Sequence, residues 1–314
     1  MNIQMLVTQY IAYRQALGEK FRTNSGVLFA FVRAVGTDKN LSDVSKTQVA
    51  EFLDGSGPIT HSWFIRYHAL QGLYRYSIPR EYVESSALPI VLPKKPPSFV
   101  PYIYSSSELN KIIKSTSCYQ RNKSCMEPIT VRTFILTQYG AALRTSEAIC
   151  LNVSDVDFEE SVFTVRGTKF HKTRLVPFGP RLHDALSTYR SRKSAVESLH
   201  SDGSDPFFTT LRGDRLNIAT IEGCFRRVCE YAEVRRADDV TYQPRLHDLR
   251  HTACVHRLTS WYQEGQDVQR LLPHLSVYLG HAKLAATQTY LTMTPELLAE
   301  AGERFEHYSG VDHV

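Results

Sequence analysis

Six side chains of this sequence have the types needed to cut a phosphodiester. Around His247 the chain reads RLHDLRHT, then an apolar run, then YLGHAKLAATQTYL. That stretch holds His247 and Arg250 in a His-x-x-Arg pair, His281 after Leu-Gly, and Tyr290 nine positions further on. Far upstream lie Arg144, in GAALRTSEAICL, and Lys169, in VRGTKFHKTRLVPF. A phosphate diester is anionic, and more charge builds on its oxygens in the transition state. Two planar guanidinium groups, Arg144 and Arg250, suit that charge because they never lose their own. The phenol of Tyr290 can attack phosphorus and form a covalent ester. Lys169 can supply the proton that the departing 5′ oxygen needs. His247 and His281, which titrate near neutrality, can donate to the phosphate or accept the phenol proton. No carboxylate cluster accompanies the set, so neither a metal nor a cofactor is expected.

Singly, each residue has a structural explanation. Arg144 could pair with Glu147 three positions along a helix. Lys169 could be a solvated hairpin lysine, with Lys172 and Arg174 as equal neighbours. His247 could cap a helix whose first-turn acid is Asp248, and His281 could contact a helix C-terminus. Tyr290 is one of 17 tyrosines. The case rests on the set and its order.

The elements that must position these groups follow from periodicity. Apolar residues recur at helical spacing over 3–17, Ser25 to Val35, Ser45 to Gly55 and His61 to Tyr76. Residues 1–88 therefore read as a small all-helical domain. PIVLPKKPPSFVP, at 89–101, has five prolines and two lysines and reads as an extended linker. The remainder, 102–314, opens on a capping pattern at Ser105 to Glu108 with a helix to Lys114. A long helix is expected from Ile129 to Leu143, leading to Arg144. The period then changes to two: Val153 to Phe158, Val162 to Val165 and Leu175 to Val176 predict a small antiparallel sheet, with Lys169 at a hairpin tip. Helices are expected over Pro180–Glu197, Asn217–Ala232, His247–Trp261, Val268–Leu279, Ala285–Tyr290 and Pro295–Phe305. The fold class is mainly α with a small antiparallel β-sheet.

A length of 314 residues suits two domains, at roughly 100–200 residues each. The net charge is +5, and residues 1–100 contribute 11 basic against 7 acidic side chains, a net of +4. The basic excess thus sits in the helical domain and its linker, as a nucleic-acid partner would favour. The six cysteines form no C-x-x-C pair, which argues against a zinc site. They read as reduced, mostly buried thiols of a cytoplasmic protein. No apolar run approaches the ~20 residues of a membrane span.

ALRTSEAICLNVSDVDF, the hairpin with KTRLVPF, the RLHDLRHT box and LGHAKLAATQTYL together resemble the tyrosine recombinase (phage integrase) family over residues ~105–300. The resemblance implies an N-terminal core-binding (SAM-like) domain followed by an α+β catalytic domain. It assigns Arg144 and Arg250 to the clamp, Lys169 to the hairpin lysine, His247 and His281 to the two histidines and Tyr290 to the nucleophile. Glu147, Ala141 and Ala142 match structural surroundings. Ala142 stands where the family usually has Gly. The turn Gly-Thr-Lys-Phe-His-Lys replaces a common Gly-Lys-Gly and leaves Lys172 as the alternative register for Lys169.

The activity implied is site-specific DNA recombination through a 3′-phosphotyrosine intermediate, serving integration, excision, transposition or resolution. The implied partner is double-stranded DNA carrying specific sites, held in a tetrameric synapse of this chain, with related recombinases or accessory proteins as further candidates. Leu297, Leu298, Ala301 and Phe305 form a stripe that could dock on a neighbouring subunit or on their own domain. Two alternatives stay open: relaxation of supercoils in the manner of a type IB topoisomerase, and DNA binding on this fold without catalysis.

Overall fold

The computed structural model describes residues 1–96, 99–119, 124–166, 173–194, 204–238, 242–281 and 283–292, together with positions 299 and 302. Their contacts divide the chain into a unit holding Met1–Phe99 and a unit from Val100 onward.

The first unit is built from α1 (Ile3–Ala16), α2 (Arg22–Val35), α3 (Lys46–Asp54) and α4 (His61–Ser77). Leu28, Phe31, Val32 and Val35, spaced i, i+3, i+4, i+7, give α2 its buried face. They join Leu6, Tyr10, Val49, Leu53, Leu70 and Leu73 in one core. Burying each such side chain contributes about 1.5–3 kcal/mol. Ser45 caps α3 reciprocally with Gln48, which sets its start. Beyond the turn at Glu81, residues up to 96 have no regular secondary structure, and Ile90 is almost wholly exposed.

The second unit starts with α5 (Ser106–Ser115), where Ser105 and Glu108 form the expected capping box. Then come α6 (Pro128–Gly140), the short α7 (Thr145–Cys150), and strands β1 (Val156–Asp157), β2 (Val162–Val165) and β3 (Arg174–Pro177). The strands lie in the order β1-β2-β3, antiparallel throughout, with Val165 opposite Arg174. The chain continues through α8 (Pro180–Ser194), α9 (Ile218–Tyr231), α10 (Asp248–Gln263), α11 (Val268–Leu279), α12 (Ala285–Gln288) and a 3-10 turn at Thr289–Thr292. The mainly helical class with a small antiparallel sheet is what the residue patterns predicted.

Several boundaries differ from expectation. The long helix stops at Gly140 instead of Leu143, because Ala142 takes a left-handed φ of 49° that no helix continues through. Arg144 is therefore the N-cap of a separate helix. The helix expected to reach Tyr290 gives way to a 3-10 turn at Thr289. Three of the six cysteines, Cys118, Cys125 and Cys150, are exposed, so the thiols are not mostly buried. The hairpin tip with Lys169 and Lys172 lies outside the described residues, as does the expected tail helix apart from positions 299 and 302. No helix among the described residues is long and apolar enough to cross a membrane.

Two cores fill this unit. The larger joins α5, α6, α8 and α9 to the inner face of the sheet through residues such as Phe134, Phe163, Leu186 and Phe225. The smaller joins α10 and α11 through Val255, Leu258, Leu272 and Leu279, and it also takes in Ala142 and Tyr290. Tyr104 pins the start of α10: its N–H donates to Thr252 Oγ1 at 3.0 Å and its hydroxyl to Arg245 O at 2.9 Å.

Candidate active site

The C-terminal end of α11 is where the distant residues meet. The last carbonyls of a helix have no partner within it and carry partial negative charge. Here three consecutive ones are each taken by a different arginine. Tyr278 O accepts from Arg174 Nε at 3.0 Å, Leu279 O from Arg250 Nη2 at 2.7 Å, and Gly280 O from Arg144 Nη2 at 3.0 Å. Arg250 also donates through Nη1 to Ala142 O at 2.6 Å, and its side chain is 2% exposed. Arg144, at the N-terminus of α7, keeps 35% of its side chain exposed.

Glu147 lies among these cations. Its carboxylate accepts Arg144 N at 2.9 Å, Arg144 Nη1 at 2.7 Å, and both Arg174 Nη1 and Nη2, at 2.9 and 2.8 Å. Arg250 Nη1 is 3.9 Å away. Burial alone would raise this carboxyl; the bidentate Arg174 pair, and then Arg144, overcome it and bring the pKa down to about 2. A folded-state value below the ordinary 4.5 stabilises the fold above pH 4.5, and that contribution is lost as pH falls from 4.5 towards 2. The shift corresponds to about 3 kcal/mol. Glu147→Gln is expected to be less stable than wild type by that order at neutral pH, with the gap closing towards pH 2. Urea midpoints followed across that range check this; a gap independent of pH would refute it.

Gly280 turns the chain out of α11 with φ 66°, and its neighbour His281 enters the site. A Cβ at 280 would lie 2.9 Å from Arg174 Nη1 and 3.0 Å from its Cζ. That guanidinium is held by Glu147 and Tyr278 O, so it cannot yield cheaply. Gly280→Ala is expected to cost about 1–2 kcal/mol from the left-handed backbone alone. Thermal unfolding measures that loss, and a variant as stable as wild type would contradict it.

His281 is oriented from both sides. Its Nε2 is 3.2 Å from Arg250 Nη2 and its Nδ1 is 2.8 Å from the buried Thr287 Oγ1. A guanidinium can only donate, so Nε2 accepts and Nδ1 carries the proton to Thr287. Burial, then the Arg250 charge, lowers its pKa to about 4. His247, the residue before α10, is also lowered, by burial and then Arg250. One turn on, His251 stacks edge-on to His247 at 5.1 Å between ring centroids and lies 5.6 Å from the Tyr290 ring. Burial, then His247, brings His251 down to about 3, and its buried Nδ1 has no hydrogen-bond partner among the described residues. All three imidazoles, lowered from the ordinary value, are thus neutral at pH 7.

Tyr290 is 4% exposed. Its ring stacks on His281, with 6.2 Å between centroids and 16° between planes. Its phenol lies in the electrostatic reach of Cys254 and Arg250, and burial raises its pKa above the ordinary value, so the resting phenol is protonated. Burial likewise pushes the Cys254 thiol up to about 12.

Five of the six predicted residues, Arg144, His247, Arg250, His281 and Tyr290, therefore come together; Lys169 falls outside the described residues. Residue patterns missed Arg174, His251, Cys254 and Thr287, and took Glu147 as merely structural. His251 had a signal, since i+4 from His247 is the same helix face. Among the described residues no group of three or more His, Cys, Asp or Glu is arranged to hold a metal. What the arrangement offers is a cluster of cations beside neutral imidazoles and a buried phenol.

The family profile described as the phage integrase family matches residues 105–296, the span that contains every one of these side chains. The chain belongs to the phage integrase family. Among its relatives is a Sinorhizobium fredii protein named as an integrase/recombinase, y4rB, 33% identical over 313 residues and covering 97% of both chains. Tyrosine recombinase XerC of Oceanobacillus iheyensis is 30% identical over 239 residues, covering 74% of this chain and 70% of that protein. Solved structures share the fold. The Tn1549 transposon integrase in complex with a circular intermediate DNA has a TM-score of 0.70 at 16% identity, covering 97% of this chain and 99% of that one. XerH site-specific recombinase, in a post-cleavage complex with palindromic difH substrate, has a TM-score of 0.63 at 20% identity, covering 90% and 79%. Within the phage integrase pattern the departure at Ala142 has a local meaning. Its φ of 49° is a conformation glycine adopts freely, and Ala holds it at a cost of ~1–2 kcal/mol.

Proposed function

We propose that this chain is a site-specific DNA recombinase that cuts and rejoins DNA through a 3′-phosphotyrosine link to Tyr290. The observation that carries this is the convergence of Arg250, His281 and His251 on the Tyr290 phenol, with Arg144 on the same helix end. The scissile phosphate sits between Arg144 and Arg250, which balance its charge. The phenol oxygen attacks phosphorus and passes its proton to a neutral imidazole. The bond from phosphorus to the 5′ oxygen breaks, and Lys169, or Lys172 in the alternative register, gives that oxygen its proton. The ester conserves the bond energy, so a 5′-hydroxyl of a partner strand reverses the step on a new duplex. Residues 1–88 form the core-binding domain and 102–314 the catalytic domain, joined by the basic linker; the working assembly is a tetramer on two sites. XerC and XerH, by their names, and the Tn1549 integrase, by its DNA complex, support a DNA substrate.

The test is a nicked duplex carrying sites from the genetic neighbourhood of this chain, incubated with the protein and resolved on a denaturing gel. A covalent band bearing phosphotyrosine, formed with or without EDTA, is expected. Specific binding to the cognate site with no covalent band would leave a DNA-binding protein, and a band abolished by EDTA would overturn the metal-independent chemistry.

A further inference from the structure

Arg174 belongs to no predicted role, yet its guanidinium is held by three hydrogen bonds at the site. It lies at the start of β3, paired in register with Val165. Its side chain is 11% exposed. Two of its N–H groups grip Glu147 and a third closes on Tyr278 O. Its guanidinium also lies against Gly280, in the space a Cβ would fill.

We propose that Arg174 is a positioning residue for DNA cleavage: by gripping Glu147 it keeps that carboxylate from neutralising the Arg144–Arg250 pair, and by holding Tyr278 O it fixes the turn that carries His281. The inference rests on the recombinase reading above. Charge makes the first half of the case. Arg144, Arg174 and Arg250 against Glu147 leave two net positive charges at the α11 end. Without Arg174 one is left, and both carboxylate oxygens turn to Arg144 and Arg250, already 2.7 and 3.9 Å away. Those arginines would then face an internal anion that competes with the phosphate. Geometry makes the second half. Tyr278 O, Leu279 O and Gly280 O are held by three arginines from three elements, so losing one loosens the turn immediately before His281. Arg174 is enclosed by these contacts and acts through Glu147 and the turn, not on the phosphate itself.

The test compares Arg174→Gln, Glu147→Gln and the double variant in the full chain. The readouts are the covalent-complex rate at saturating DNA, the DNA dissociation constant, and the NMR titration of His281, which faces Arg250, Arg144, Arg174 and Glu147. Arg174→Gln is expected to slow cleavage by about 100-fold, as loss of electrostatic preorganisation does, with DNA affinity nearly unchanged. Adding Glu147→Gln is expected to restore about tenfold of that, because the competing anion is gone. His281 is expected to titrate higher in Arg174→Gln than in wild type, and lower again in the double variant. A merely structural arginine would give no such rescue. The proposal is overturned if Arg174→Gln cleaves like wild type, or if the double variant is no faster and His281 does not move. A wild-type chain that forms no covalent link would refute the recombinase reading, and the His281 titration would still decide whether Arg174 screens Glu147. Should Arg174→Gln not fold, Arg174→Lys keeps the charge without the fork. Slowed cleavage with an unmoved His281 then supports the positioning role, and unchanged cleavage overturns it.

Discussion

Replacing Tyr290 by Phe is expected to abolish the covalent DNA link, lowering its rate by a factor on the order of 10^4 or more, because no other group takes over as nucleophile. The variant is also expected to fold and bind DNA. The ring keeps its stack on His281 and its contact with His251, and only the hydroxyl is lost. DNA affinity comes from contacts to many phosphates and not from one phenol. Three measurements are needed together: the covalent band, the dissociation constant for the cognate site, and the unfolding midpoint. A covalent band persisting in Tyr290→Phe would move the nucleophile elsewhere.

Arg250→Lys should damage both activity and stability even though the charge is kept. The guanidinium reaches Ala142 O, Leu279 O and His281 Nε2 at once, from a position that is 2% exposed. An ammonium is a point donor on a flexible stem and cannot span those acceptors in one plane. Buried carbonyls left without donors cost about 1–3 kcal/mol each. Loss of the planar clamp on the phosphate is expected to slow cleavage by about 10^2–10^3-fold. Single-turnover cleavage on the nicked substrate and thermal unfolding read the two effects separately. A Lys variant that cleaves like wild type would mean that charge alone, without the fork, is what the site requires. The contrast with Arg144 is instructive. That side chain keeps 35% exposure and bonds Glu147 and Gly280 O, one acceptor fewer than Arg250, so its replacement is felt mainly in the chemistry.

Much of the architecture followed from local rules. The four helices of the first unit obey a 3.6-residue apolar period, and Ser45 and Ser105 cap their helices with Gln48 and Glu108 as the S-x-x-E/Q pattern requires. The sheet follows from a period of two, and its register places Val165 opposite Arg174. Arg144, Arg250, His247, His281 and Tyr290 were identifiable because only the ordered combination has a chemical purpose. Each of these inferences uses residues near one another in the chain, or residue types that chemistry restricts.

What those rules missed depends on contacts between elements distant in the chain. Arg174 and Glu147 are 27 positions apart and look like ordinary surface charges until folding buries them together. At the break, the Ala142 carbonyl accepts from Arg250, 108 positions later. The Tyr290 helix shortens to a 3-10 turn where its phenol enters the α10–α11 core beside Cys254. The sequence by itself determined the helical and strand segments, the family and the candidate chemical groups, because periodicity and residue chemistry are local properties. Only the tertiary structure decided which carboxylate the arginines share, which way His281 carries its proton and that Tyr290 rests buried, because charge pairing and desolvation depend on distance in space.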